Sequence, residues 1–164
     1  LAVGDVNDDG WLDIVAAGGG EGRALHVWRN TSGTFGLDQA LVVLTEGLNG
    51  SRVRLADTDL DGDLDLVAAG GNNVAGAERR WLVHFRNTGG SFETAFTTVT
   101  ELPSNASWNG LALGDATGDG YPDLLANYST GAGSPSSFST SHVVSLSAVM
   151  TAVPFVPWIS VRSG

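Results

Sequence analysis

The sequence predicts an all-β chain assembled from repeated units, and three observations carry that prediction. An Asp-rich segment of one design occurs three times, at residues 5–13, 57–65 and 115–123, so the unit recurs every 52 to 58 residues. Short apolar runs flank each copy, as Leu1-Ala2-Val3 and Ile14-Val15-Ala16-Ala17 do around the first. No stretch carries apolar periodicity over the length of a helix, and 23 of the 164 residues are Gly. Short apolar runs bounded by Gly and Asp read as strands. Self-similarity at a fixed period reads as a repeat architecture.

Taken in order, the first unit spans about 1–50, with strands expected at 1–4, 12–17, 24–29 and 40–44. The second spans about 51–108, with strands at 52–56, 64–69, 81–86 and 95–100. Its extra length falls in the connection 70–80, against 18–23 in the first unit; hairpin tips accept insertions at little cost. The third spans 109–164 and supplies strands at 111–113 and 124–127. A Ser-, Thr- and Gly-rich excursion at 129–141 follows, then outer strands at 142–149 and 155–161, with the repeat pattern degenerate after about residue 128.

Within each Asp-rich segment, oxygen-bearing side chains occupy positions 1, 3, 5 and 9, and Gly occupies position 6. This spacing converges hard oxygen donors on one point while Gly permits the sharp turn, which is the requirement of Ca²⁺. The expected side-chain ligands are Asp5, Asn7, Asp9 and Asp13; Asp57, Asp59, Asp61 and Asp65; and Asp115, Thr117, Asp119 and Asp123. Position 7, occupied by Trp11, Asp63 and Tyr121, is expected to offer a backbone carbonyl, while the Asp8 and Asp63 carboxylates face outward. An EF-hand is excluded, because position 12 is Ala16, Ala68 or Ala126 in place of an acid and the flanks are strands. About three ions are expected. Ligand charge makes the second site the tightest and the third, with Thr117, the weakest.

The loop pattern, followed by Trp28-Arg29-Asn30-Thr31 with Gly33 and Phe35, or by Phe85-Arg86-Asn87-Thr88 with Gly89, Gly90 and Phe92, resembles the FG-GAP/VCBS repeats. Such repeats build the β-propeller of integrin α-subunits and of many secreted proteins. The resemblance covers two full repeats and a third as far as about Tyr128. It implies one four-stranded antiparallel blade per repeat, with Ca²⁺ in the loop between the first and second strands. About three blades make an incomplete propeller, since closed rings need at least about four. Other blades, from the same precursor or from identical copies, are the expected neighbours, in a homo-oligomer or filament.

Composition narrows the function classes. The formal charge is −10, and 12 of the 18 acids lie in the three loops, so three bound Ca²⁺ would reduce it to −4. All eight basic residues are Arg, without the polybasic patch that nucleic acid or an anionic membrane surface demands. Absence of Cys excludes disulfides, thiolate metal sites and cysteine nucleophiles. Weak Ca²⁺ sites fill only where Ca²⁺ is abundant, which points to an extracellular setting. The chain opens inside a strand with no secretory signal, as a segment of a longer protein would. The apolar stretch 143–161 is too interrupted by Ser, Thr and Pro for a membrane span.

Four N-glycosylation sequons begin at Asn30, Asn49, Asn105 and Asn127. Asn87 matches Asn30 without forming a sequon, which argues for a structural task at Asn30; Asn49 and Asn105 fall between blades. His26 and His84 are offset by one residue when the repeats are aligned, so they share no site. Trp28 and Phe85 align with each other and read as packing residues; Trp11, Trp81 and Tyr121 lie nearer the loops, where an exposed Trp could stack on a glycan. No Ser-His-Asp pattern or phosphate-cradling loop emerges, and the carboxylates are accounted for by metal. The expectation is a non-catalytic extracellular module for adhesion, scaffolding or assembly, with protein or glycan ligands. The alternative is a carbohydrate-binding module joined to a polysaccharide-degrading enzyme.

Overall fold

The computed structural model describes residues 1–17, 24–41, 49–74, 77–102, 106–130 and 139–145. Among them the chain is all-β, in antiparallel sheets without helices or a closed barrel. Strands β1 (Ala2–Gly4), β2 (Asp13–Ala17), β3 (Leu25–Thr31) and β4 (Thr34–Leu41) form the first sheet in sequential order. The second contains β5 (Asn49–Ala56), β6 (Asp65–Val74), β7 (Ala77–Phe85) and β10 (Thr97–Leu102), again up and down. Before its outer strand stands a small hairpin, β8 (Asn87–Thr88) with β9 (Ser91–Phe92). The third sheet pairs β11 (Ala106–Gly114), β12 (Asp123–Thr130) and β13 (Ser139–Ser145).

Each Asp-rich loop joins the first and second strands of a sheet and closes in the same register. Gly4 pairs with Asp13, Ala56 with Asp65, and Gly114 with Asp123. Position 9 is therefore already part of a strand, and only the residues before it are loop.

The strand boundaries differ from expectation at 129–141, where β12 runs on to Thr130 and β13 already begins at Ser139 because the two strands pair there, and in two further connections. The outer strand of the first sheet begins at Thr34 rather than near residue 40, because a two-residue turn joins it directly to β3. Ser32 and Gly33 both have positive φ (52° and 90°) and Thr31 pairs with Thr34, the backbone of a type I′ hairpin. The connection 70–80 is mostly ladder: β6 runs to Val74 and β7 starts at Ala77, with Gly71 opposite Arg80 and Asn73 opposite Glu78. Gly and Asn are poor strand formers in isolation, but the register set by Leu66-Val67-Ala68-Ala69 carries the pairing through them. The expected strand 155–161, and Asn105, lie outside the described residues.

The core has two layers with the second sheet between them. One face of that sheet presents Leu66, Ala68, Val83 and Phe85 to Val6, Val15, Leu25 and Val27 of the first repeat. The opposite face presents Val67, Ala69 and Leu82 to Leu111, Leu124 and Ala126 of the third. Successive side chains on a strand point to opposite faces, so a segment covered on both sides must be continuously apolar, as Leu66-Val67-Ala68-Ala69 of β6 is. Full burial of Leu66, Leu82 or Phe85 contributes about 1.5–3 kcal/mol each. Strand β5 packs beside β1 and β2, and β11 beside β5, so the first strands of successive sheets line one edge of the stack. No helix among the described residues is long and apolar enough to cross a membrane.

Candidate metal centre

All three Asp-rich loops share one hydrogen-bonding frame. The position 1 carboxylate accepts from the amides at positions 5 and 6: Asp5 from Asp9 N (3.1 Å) and Gly10 N (2.8 Å), Asp57 from Asp61 N (3.1 Å) and Gly62 N (3.0 Å), Asp115 from Asp119 N (3.1 Å) and Gly120 N (3.0 Å). The position 5 carboxylate accepts from the amide two residues on: Trp11 N to Asp9 (2.9 Å), Asp63 N to Asp61 (3.0 Å), Tyr121 N to Asp119 (3.0 Å). Such short-range bonds hold these side chains pointing inward over the turn.

The backbone is left-handed at two positions of every loop. Position 6 is Gly10, Gly62 or Gly120, with φ between 86° and 98°, as the spacing requires. Position 4 is left-handed as well, at Asp8 (56°), Leu60 (63°) and Gly118 (78°). The sequence reading missed this second position, although Gly118 was its available signal. Leu in this region costs roughly 1–2 kcal/mol, which the rest of the frame must overcome.

Position 9 has a second task. Asp13, Asp65 and Asp123 are buried and accept from the position 2 amide of their own loop: Val6 N (3.1 Å), Thr58 N (3.1 Å) and Ala116 N (2.8 Å). The other oxygen of Asp13 accepts from Asn30 N (2.8 Å), and that of Asp65 from Asn87 N (2.7 Å), so each carboxylate ties its loop to the end of the third strand. For Asp123, Leu124 pairs with Val144 as Ile14 does with Trp28 and Leu66 with Phe85, so Ser145 stands in the place of Arg29 and Arg86. Among the described residues Asp123 Oδ1 finds no donor.

Loop two brings three of its expected carboxylate ligands together. One carboxylate oxygen from each of Asp57, Asp59 and Asp61 lies within 4.8 Å of the others. Arg86 stands against this cluster, its Nη2 2.7 Å from Asp59 and 3.2 Å from Asp61. Burial and the charge of Asp65 raise the pKa of Asp59 above the usual carboxylate value, against the pull of Arg86. Asp61 is lowered, first by the Asp63 amide and then by Arg86. One carboxylate of the set is thus electrostatically strained while its neighbour is satisfied. In loop one Asn7 takes position 3 and donates to Asp9 Oδ2 (3.0 Å), and Arg29 turns away to Asp13 (3.2 Å), Asp38 (3.0 Å) and the Gly90 carbonyl. In loop three Thr117 offers no carboxylate, and its amide donates to Asp123 (2.8 Å). Asp63, expected to face outward, accepts from Gly89 N (2.7 Å) and so holds the β8–β9 turn.

A polar cluster behind loop two was not legible in the sequence. Thr58 Oγ1 donates to Asp65 and lies 2.9 Å from His84 Nε2, which is 3.6 Å from Asp65. All three residues are buried. Burial pushes the Asp65 carboxyl up, but bonds from His84, the Asn87 amide and Thr58 outweigh it and hold the pKa below the ordinary carboxylate value. The two histidines have different registers: His84 pairs with Val67, whereas His26 pairs with Ala16 and its ring lies tilted against Trp28 with centroids 5.3 Å apart.

Asn30 and Asn87 do matching work. Asn30 Nδ2 donates to the Leu12 carbonyl (3.2 Å), and Asn87 Nδ2 to the Leu64 carbonyl (3.1 Å). Asn49 lies in β5 and Asn127 in β12. Trp81, expected near a loop, lies in the core opposite Gly70, away from loop two, while Tyr121 is half-buried and Trp11 is exposed.

A family model described as FG-GAP-like repeat matches residues 5–68 and again residues 69–126. No curated protein and no solved structure matches the chain. The first match encloses loops one and two, and the second encloses loop three. Two consecutive matches over most of the sequence, on loops that share one geometry, establish that the chain belongs to the FG-GAP-like repeat family.

Proposed function

We propose that the chain is a Ca²⁺-stabilised, propeller-type module that works outside the cell in adhesion, scaffolding or assembly. The observation that supports this most is the convergence of Asp57, Asp59 and Asp61 within 4.8 Å. Oxygens bound to one Ca²⁺ at 2.3–2.6 Å stand at most about 5 Å apart, so the spacing of the three carboxylates is compatible with a single shared ion. Asp5, Asn7 and Asp9 would serve the first loop, and Asp115, Thr117 and Asp119 the third, with position 7 carbonyls completing the set. Bound Ca²⁺ supplies charge neutralisation and a cross-link between the two strands that each loop joins.

In this reading the protein residues do structural work. Asp13, Asp65 and Asp123 fasten the loops to the sheets, and the buried Thr58, His84 and Asp65 cluster holds loop two to β6 and β7 rather than meeting a substrate. Melting of the protein with and without excess chelator tests the proposal. Ligand binding to the native state alone raises its stability, so Ca²⁺ at about 100 times its Kd would add about 2.7 kcal/mol per site. Unchanged melting on chelation would remove the structural role of the metal.

A second reading, recognition of glycans, draws on the exposed indole of Trp11 beside loop one. Aromatic faces stack on sugar rings. Binding on a glycan array that Trp11→Ala abolishes would favour it over a purely structural module.

A further inference from the structure

Arg29 and Arg86 hold matching positions in their repeats, each one residue before the Asn that ties the third strand to its loop, yet they do different things. Arg29 is locked in place. Its Nη1 lies 3.2 Å from Asp13 Oδ2 and its Nε 3.0 Å from Asp38, while Nη2 donates to the Gly90 carbonyl. Only 12% of its side chain is exposed.

The second repeat closes two of those places to Arg86. Asp65 Oδ2, the counterpart of the Asp13 oxygen that Arg29 reaches, is occupied by Thr58 Oγ1 and faces His84. Ala95, which has no carboxylate, stands in the place of Asp38 when the repeats are aligned. The Arg86 guanidinium lies instead on the converged ligands of loop two, its Nη2 2.7 Å from Asp59 and 3.2 Å from Asp61, with 45% of the side chain exposed. Its backbone is pinned. The Arg86 carbonyl accepts from Glu93 N (2.8 Å), Asn87 N donates to Asp65 (2.7 Å), and Gly89 N donates to Asp63 (2.7 Å). A long, flexible side chain on a fixed backbone keeps a cation at high local concentration beside the carboxylates.

Three carboxylates with oxygens within 4.8 Å of one another repel, and one guanidinium offsets part of that charge. A divalent cation at the same oxygens meets a like charge already in contact with two of them. We propose that Arg86 is a tethered competitor of Ca²⁺ at loop two: it holds Asp59 and Asp61 in the metal-free chain and gives way when the ion enters. Ca²⁺ uptake there is an exchange of one cation for another, whereas in loop one Arg29 is spent on Asp13, Asp38 and Gly90 and takes no part. Loop two therefore leads loop one in affinity by less than its extra carboxylate alone would give. The inference deepens the Ca²⁺ reading of this site and rests on it.

Calorimetric titration of the chain with Ca²⁺, following the site that Asp61→Ala removes, tests it. Arg86→Gln tightens that site about tenfold or more, while Arg86→Lys, which keeps the charge, stays within a few-fold of the parent. The site that Asp5→Ala removes is unmoved by either change. Melting gives an independent readout. In chelator Arg86→Gln melts below the parent, because the cluster has lost its counter-charge; in saturating Ca²⁺ the two melt within a few degrees, so the rise on adding Ca²⁺ is larger in the variant. Affinity at loop two that is unchanged or weakened in Arg86→Gln, or tightened equally in Arg86→Lys, overturns the inference and leaves the Ca²⁺ reading standing. Absence of Ca²⁺ binding in parent and variants alike overturns both.

Discussion

The loops of the second and third repeats have the same frame and different contents. In both, the position 1 carboxylate caps the amides at positions 5 and 6, and the position 9 carboxylate is buried under the position 2 amide. Loop two fills that frame with Asp59 and Asp61, with Arg86 as counter-charge and with Thr58 and His84 behind Asp65. Loop three has Thr117 at position 3, Gly118 at position 4, and Ser145 at the arginine position. The difference separates two jobs that a single motif combines. Positions 1, 6 and 9 shape the turn, while positions 3 and 5 set the charge at its centre. A loop can keep its shape after losing part of its charge, and the third repeat is that case.

The largest expected effect breaks the comparison at position 9. Asp65→Ala leaves His84, Thr58 and the Asn87 amide without their buried acceptor, a loss of about 3–5 kcal/mol in denaturant unfolding. Asp123→Ala abandons the amides of Ala116 and Thr117, with an expected loss of about 1–3 kcal/mol. Equal losses would mean that the cluster behind loop two adds nothing. The sign of the pH dependence follows from the lowered pKa of Asp65. The native state prefers the carboxylate more than the unfolded chain does, so its contribution is present above the unfolded pKa of about 3.9 and is lost as pH falls through the lower folded value. Acid unfolding of the chelated protein should therefore steepen below about pH 4, and Asp65→Asn should flatten that limb.

A smaller effect sharpens the comparison at the ligand positions. Asp61→Ala removes a carboxylate from the converged set and should weaken Ca²⁺ at loop two by about tenfold or more. Thr117→Ala should change the third site by no more than a few-fold, since a neutral oxygen contributes less charge there. The reverse order would refute the ranking by ligand charge. Smallest is the backbone at position 4. Leu60→Gly should stabilise by about 0.5–1 kcal/mol, relief of the left-handed strain being partly offset by the entropy of Gly. Gly118→Leu should cost about as much, and thermal melting would register both.

Much of this fold was written in local pattern. The three loops and their apolar flanks announce the strands on either side, because Asp and Gly at fixed spacing between short apolar runs mark a tight connection between strands. Strands β6 and β7 were legible only in part. The run Leu66-Val67-Ala68-Ala69 is apolar enough to read, but its continuation through Gly71, Asn72 and Asn73 depends on pairing with β7, which no local signal encodes. The site divides in the same way. Convergence of Asp57, Asp59 and Asp61 follows from spacing within one loop. The positions of Arg86, His84 and Asn87 follow from strand register across more than 20 residues, so only the folded chain reveals them. The hairpin at Asn87–Phe92 was visible as a motif, yet its seat on Val6 and Gln39 belongs to the stacking of one repeat on another.

Calorimetric titration of the decalcified protein with Ca²⁺ tests the central claim most directly. The account predicts about three sites per chain, the tightest lost in Asp61→Ala, with binding heat that vanishes when Mg²⁺ replaces Ca²⁺ at the same concentration, because Mg²⁺ demands shorter bonds and a stricter octahedron. A chain that releases no heat with millimolar Ca²⁺, or whose sites survive Asp61→Ala and Asp5→Ala unchanged, would contradict it.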